Sequence, residues 1–212
     1  MYEPFPTVPL DKFYPELRFE FKDLPPQLFA YYVQRVAVDM AEKGNIIRRW
    51  IRILLEPNVT RYALVSPDGL ALWAIMGIFH THHCDCGIQH TRRFYGPPSD
   101  ACCVPDAAWW DPYEHVLHYT GDCCGGCLYV NMAVVPDRDA CELPAIYKER
   151  FFTTLLMGVR AKILLITNRE WTNLRVGASL QSEYEQMLAR DAVRVAQRQQ
   201  RGQVKIQFGK VM

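Results

Sequence analysis

Leu70-Ala-Leu-Trp-Ala-Ile-Met-Gly-Ile-Phe79 runs without a break into His80-Thr-His82-His83-Cys84-Asp-Cys86-Gly-Ile-Gln-His90. The ten-residue apolar run is about half of what a bilayer span requires. It reads instead as the second strand of a hairpin, and the metal-type side chains begin where that strand ends. Just upstream, Tyr62-Ala-Leu-Val65 and Ser66-Pro-Asp-Gly69 complete the pattern of a β-hairpin, with Asp-Gly supplying the turn.

Thirteen of the fourteen cysteines and histidines fall between His80 and Cys127, and only Cys141 lies outside. Thiolate and imidazole are the side chains that bind zinc well, so this density points to a structural zinc. Disulfides or ordinary buried cysteines are the competing readings. Cys124-Gly-Gly-Cys127 has the spacing that places two sulfurs on one ion, and its glycines permit the tight bend. A redox dithiol shares that spacing but normally opens a helix, whereas Leu128-Tyr-Val-Asn-Met reads as β. In Cys84-x-Cys86, residues two apart on an extended segment face the same side.

A tetrahedral site is assembled most economically from Cys84 and Cys86 with two of Cys102, Cys103, Cys124 and Cys127. The count permits a second site from Cys123, the leftover cysteines and the histidines, giving one or two zinc ions. His83 and His90 adjoin the cysteines and join the ligand candidates. His82, His115 and His118 fit a packed or surface role better. Asp85, Asp106, Asp111 and Glu114 could serve a hydrolytic zinc, yet none sits in a His-Glu-x-x-His or deaminase arrangement. No phosphate loop or nucleophile elbow appears either. The chain reads as a non-enzyme.

Half of the 212 residues are apolar and 12% aromatic, enough for a sizeable core. A formal net charge of +1 gives no global bias toward nucleic acid or membranes. Met1-Tyr-Glu-Pro-Phe-Pro shows no basic segment followed by an apolar one, so no secretory leader is expected. A reduced, non-secreted setting in turn favours metal over disulfide.

Residues 1–26 carry six prolines and read as an extended lead-in packed on the core; residues 27–212 read as a single domain. Leu28, Phe29, Tyr32, Val33, Val36 and Met40 recur at helical spacing behind Asp23-Leu-Pro25-Pro26, and Gly44 closes that helix. Residues 46–55 fit helix or strand. His115–Tyr119 and Leu128–Val135 predict a strand pair joined through Cys123–Cys127. Pro144–Gly158 predicts a core helix with Tyr147, Phe151, Leu155 and Leu156 on one stripe, and Ala161–Ile166 a buried strand. A charged helix over 179–200 and an edge strand over Val204–Phe208 finish the chain. This order predicts a single compact α+β domain with a mixed or antiparallel sheet, flanking helices and a zinc-stabilised loop region at 80–127.

Trp109-Trp110-Asp111-Pro112-Tyr113 reads as an aromatic cap on the metal region, with partner anchoring as the sharper alternative. In the last helix Arg190, Arg194, Arg198 and Arg201 are interleaved with Glu183, Glu185 and Asp191. Mixed signs favour a solvated face; partner docking comes next and RNA contact last.

An ordered series of landmarks resembles the adenoviral early-region-four 34K protein family, in a divergent and shorter form. It comprises His83-Cys84-x-Cys86, Trp110 with Glu114-x-Val116-x-x-Tyr119, and Leu128-Tyr129. Pro144-Ala145, Leu156 with Gly158-Val159, Ile163-Leu-Leu-Ile166, Leu174-Arg175-Val176 and Met187-Leu188-x-Arg190-x-Ala192-Val193-Arg194 follow. The resemblance spans roughly residues 60–196 and implies that Cys84, Cys86 and Cys127 share a metal. It implies an early viral adaptor that recruits host elongin B/C and a cullin into a ubiquitin ligase that degrades host proteins. It also implies action with an early-region-one-B 55K-type protein in viral mRNA export, in host nucleus and cytoplasm. Two departures stand out. The family's arginine-rich helix is diluted by acids at 179–196, and the elongin-binding element has only loose counterparts near Leu28 and Leu155. The alternative function is a zinc-dependent nucleic-acid-binding regulator without ligase recruitment.

Overall fold

The structure, a computed structural model, describes residues 6–66, 69–83, 89–94, 108–121 and 126–204, with backbone alone for 80–83, 89–94 and 199–204. In chain order the elements are β1 (Thr7–Pro9), a 3-10 turn (Leu10–Phe13), α1 (Pro15–Arg18), α2 (Pro26–Gly44), β2 (Arg48–Leu54), β3 (Arg61–Ala63) and β4 (Leu70–His83). There follow β5 (Gln89–Phe94), β6 (Ala108–Asp111), β7 (Val116–Tyr119), β8 (Cys127–Pro136) and β9 (Glu142–Pro144), then α3 (Ile146–Glu149), α4 (Phe152–Leu164) and α5 (Leu174–Val204). The fold is mixed α+β with antiparallel sheets. Two compact units divide it: Met1–Ile46 with Pro136–Met212, and Ile47–Val135. The sequence draws its one boundary elsewhere, at 26/27.

The first unit is mainly helical. In α2 the apolar stripe Phe29, Val33, Val36, Ala37 and Met40 is buried, as its spacing predicts. Asn45 in the left-handed conformation (φ 45°) stops the helix just past Gly44. Among the described residues of the lead-in, β1 is the extended part, and it pairs with β9 through Thr7↔Pro144 and Val8↔Leu143. Residues 10–18 coil into the 3-10 turn and α1, and this stretch with the residues that follow it buries Phe13, Leu17, Phe21 and Leu24. Pro15 sits at the first position of α1, where a fixed φ and a missing N–H suit a helix start rather than an extended chain.

The predicted stripe Tyr147, Phe151, Leu155 and Leu156 is buried, but on two helices. Arg150 and Phe151 leave helical geometry (φ −124° and −114°) and separate α3 from α4. The strand predicted at 161–166 is instead the end of α4. A short apolar run fits either period; here Leu155, Val159 and Ile163, four residues apart and all fully buried, continue one helical face. The last helix starts earlier than 179 because Asn173 caps it: the side-chain Oδ1 accepts from Val176 N at 3.1 Å. Val204 is the final residue of α5, and 205–208 of the predicted edge strand lie outside the described residues.

Helices α2, α4 and α5 meet at Gly158. A Cβ there would lie 2.6 Å from Val36 Cγ1 and 2.8 Å from Tyr184 Cε2. Tyr184 is fully buried and donates to Asp39 Oδ2 at 2.8 Å, while Tyr147 donates to the Ala37 carbonyl at 2.6 Å. Burial is the first cause that raises both phenols well above their ordinary value; for Tyr184 the Asp39 carboxylate adds to it. Thr154 Oγ1 donates to Asp191 Oδ2 at 2.7 Å inside the same helical layer.

The second unit holds two sheets, ordered β2-β8-β4-β5 and β3-β7-β6. The ambiguous 46–55 segment resolves as β2, paired antiparallel with β8 from Arg48↔Ala133 to Leu54↔Cys127. Ile51 turns inward beside exposed Trp50 and Arg52, the period-2 alternation of a half-buried strand. Two predicted pairings are corrected. β3 does not pair with β4 but with β7, through Arg61↔His118 and Ala63↔Val116. β7 likewise pairs with β3 and β6 rather than β8. A turn signal reports where a chain can reverse, whereas partner choice follows which faces become buried together. Leu117 on β7 and Leu128 on β8 are both fully buried, each in its own sheet.

Candidate metal centre

β4 and β5 form an antiparallel pair in which His82 lies opposite His90 and His83 opposite Gln89. The ladder thereby brings the backbones of both candidate histidines, His83 and His90, to the end of one strand pair. Cys84 and Cys86 belong to the five residues that join His83 to Gln89 in sequence. Cys84, Cys86, Cys102, Cys103, Cys123 and Cys124 lie outside the described residues; of the loop region expected at 80–127, the described parts are the end of β4, β5, the β6–β7 pair and the start of β8.

Cys127 is the one described cysteine of the candidate set. It opens β8, is only 2% exposed, is not in a disulfide and lies opposite Leu54. The ladder continues one residue toward the Cys124-Gly-Gly-Cys127 stretch, since Leu55 N donates to the Gly126 carbonyl at 3.1 Å. Arg52 and Tyr129 lie on neighbouring strands, in register with each other, and Cys127 influences the ionisation of both. The Cys127 side chain is the first cause raising the Arg52 guanidinium above its ordinary value, with charge on Cys127 second. It is also the first cause raising the Tyr129 phenol, ahead of burial. A buried thiol beside these two groups suits the sulfur coordination that zinc prefers. Cys141, by contrast, is an exposed free cysteine at the entry to β9.

A second group escapes a reading of spacing. Asp111, Glu114 and His118 each bring one ligand atom within 4.8 Å of the others. Asp111 ends β6 and its Oδ1 accepts from Tyr113 N at 2.8 Å and Glu114 N at 3.2 Å, which fixes the turn into β7. His115 takes a left-handed conformation (φ 54°) at the end of that turn. His118 then stands across from Trp109, and the two rings stack at 4.9 Å and 5°. Two carboxylates and an imidazole are a donor set for a divalent cation, with Arg61 paired to Glu114 as the resident competitor. In sequence these residues register only as scattered acids and a lone histidine. It is the β6–β7 register, Asp111↔Val116 and Trp109↔His118, that makes them neighbours.

No family model matches this chain, and no curated protein does.

Proposed function

We propose that this protein is a zinc-stabilised viral early adaptor, non-catalytic itself, that brings host proteins to an elongin B/C–cullin ubiquitin ligase and assists viral mRNA export. The observation that carries the reading is the concentration of thiol and imidazole groups on the second unit. Its described members are Cys127, buried at the start of β8, and the β4–β5 ladder that flanks Cys84 and Cys86 with histidines. Zinc would be held by Cys84, Cys86 and Cys127 with a fourth donor from His83, His90, Cys102, Cys103, Cys123 or Cys124. The ion would supply rigidity rather than chemistry.

Adaptor work needs apolar surface offered to partners. On the first unit Leu174, Val176 and Val193 are exposed along α5, and Tyr31 is exposed on α2. Of the two loose elongin-binding counterparts, Leu28 is half-buried near the start of α2, whereas Leu155 is fully buried in α4. A docking element near Leu28 is therefore the one we adopt, with a 55K-type viral partner and a nuclear and cytoplasmic location as further parts of the proposal. Affinity purification of the full chain from human cells tests it: elongins B and C with a cullin should co-purify, and elemental analysis should find one or two zinc ions per chain. Absence of any elongin or cullin overturns the adaptor reading; a metal-free, fully folded protein overturns the zinc reading.

A further inference from the structure

The chain as a whole is nearly neutral, yet the four-stranded sheet of the second unit is not. Its strands carry three arginines on β2 and two on β5, and no acidic residue on any of the four. Alternation along β2 places Arg48, Trp50, Arg52 and Leu54 on one face, opposite the face of buried Ile51. The Trp50 ring meets Phe79 of β4 at 5.4 Å, so the two rings come together across the intervening β8. The same alternation along β4 puts Trp73 on the Phe79 face. Trp50 is 41% exposed and Trp73 45% exposed. Six residues along a strand separate Trp73 from Phe79 by about 20 Å.

We propose that the exposed aromatic and arginine side chains on this face of β2 and β4 bind single-stranded nucleic acid, with unpaired bases stacking on Trp50 and Trp73 and the phosphates meeting Arg48 and Arg52. Every base offers a π-face that can stack on an exposed indole. Base stacking requires strands that are not already paired, which sets single strands apart from duplexes on a surface of this kind. Arginine is suited to the work, since its planar fork both pairs with phosphate and stacks. The surface differs from the α5 arginines, whose acidic neighbours oppose a polyanion. It is also independent of the adaptor reading, because no ligase component enters the argument.

The test uses the full-length protein and fluorescein-labelled 12-nucleotide RNA of mixed sequence, followed by anisotropy between about 50 and 200 mM salt. Binding should weaken as salt rises, single-stranded DNA should bind within about tenfold of RNA, and a duplex at least about tenfold more weakly. Trp50→Ala and Trp73→Ala should each weaken binding about fivefold to a hundredfold. Arg52→Gln should flatten the slope of log affinity against log salt by about 0.7. Far-UV circular dichroism checks each variant. Should Trp50→Ala fail to fold, Trp73→Ala decides, because Trp73 is 45% exposed and lies on another strand. The proposal is overturned by no binding at about 50 mM salt, or by duplex or polyglutamate competing as well as the single strand. Loss of binding in Arg190→Gln/Arg194→Gln with Trp50, Trp73 and Arg52 variants unaffected overturns it equally.

Discussion

Gly158→Ala should destabilise the helical unit, although alanine is the better helix former. The new methyl would sit 2.6 Å from Val36 Cγ1 and 2.8 and 2.9 Å from Tyr184 Cε2 and Cδ2, about 1 Å inside ordinary carbon contact. Neither neighbour can turn aside. Val36 is 1% exposed, and the Tyr184 ring is fully buried and tied through its hydroxyl to Asp39. Helix α4 must therefore back away from α2 and α5 together. Overpacking of this kind costs about 1–3 kcal/mol, and two rigid partners place it near the upper end, about 3. Replacing glycine inside a helix returns about 1 kcal/mol. The net loss is about 2 kcal/mol, which at about 2 kcal/mol per M lowers the urea midpoint by about 1 M. Urea titration followed by helical circular dichroism reads it directly. An unchanged or higher midpoint for Gly158→Ala would refute the close three-helix contact.

Thr154→Val should cost about 1.5–3 kcal/mol, because it strips the buried Asp191 carboxylate of its 2.7 Å donor and leaves Arg194 at 3.5 Å. Thr154→Ser should keep most of the stability in the same urea assay; equal losses would count against the hydrogen bond. Stability should be level up to about pH 10 and fall above it, since Tyr147 and Tyr184 stay protonated in the fold at pH values where the unfolded chain has released those protons. Each contributes up to about 1.4 kcal/mol per pH unit, and Tyr147→Phe should make the decline shallower; an identical decline would remove burial as the cause. Cys84→Ser and Cys127→Ser should each release zinc and lower the thermal midpoint, as strong chelator should in the unaltered protein. Normal midpoints in both variants would contradict a structural ion.

What could be read from the sequence follows the range of the interaction concerned. The buried stripe of α2 and the buried Tyr147–Leu156 set were legible because a helix is specified by residues three and four apart. Ala161–Ile166 reads as a strand in sequence because a six-residue stretch with five apolar positions lacks the length to display a period, and the deciding neighbours, Leu155 and Val159, lie upstream. Asn173 announced the start of α5 in its own side chain, a signal that the arginine pattern further along obscured. Strand partners were illegible for a different reason. Nothing local in Arg61–Ala63 distinguishes β7 from β4, and the choice is made by faces far apart in sequence. The same limit hid Asp111, Glu114 and His118 as a group, whereas the cysteine spacing of 84–86 and 124–127 was plain from composition alone.

The helical unit is assembled from two stretches of chain parted by Ile47–Val135. Bringing such remote halves together would ordinarily tax folding through lost loop entropy, which grows with the logarithm of the intervening length. Here the detour begins and ends at one rung: Val134 N donates to the Ile47 carbonyl at 3.1 Å, directly beside Arg48↔Ala133. Once that rung zips, α2 and the segment leading to α4 are delivered as though a short turn joined them. The rung thus shortens the effective loop between the two halves of the helical unit, and weakening the Arg48 end of the ladder should slow refolding of that unit.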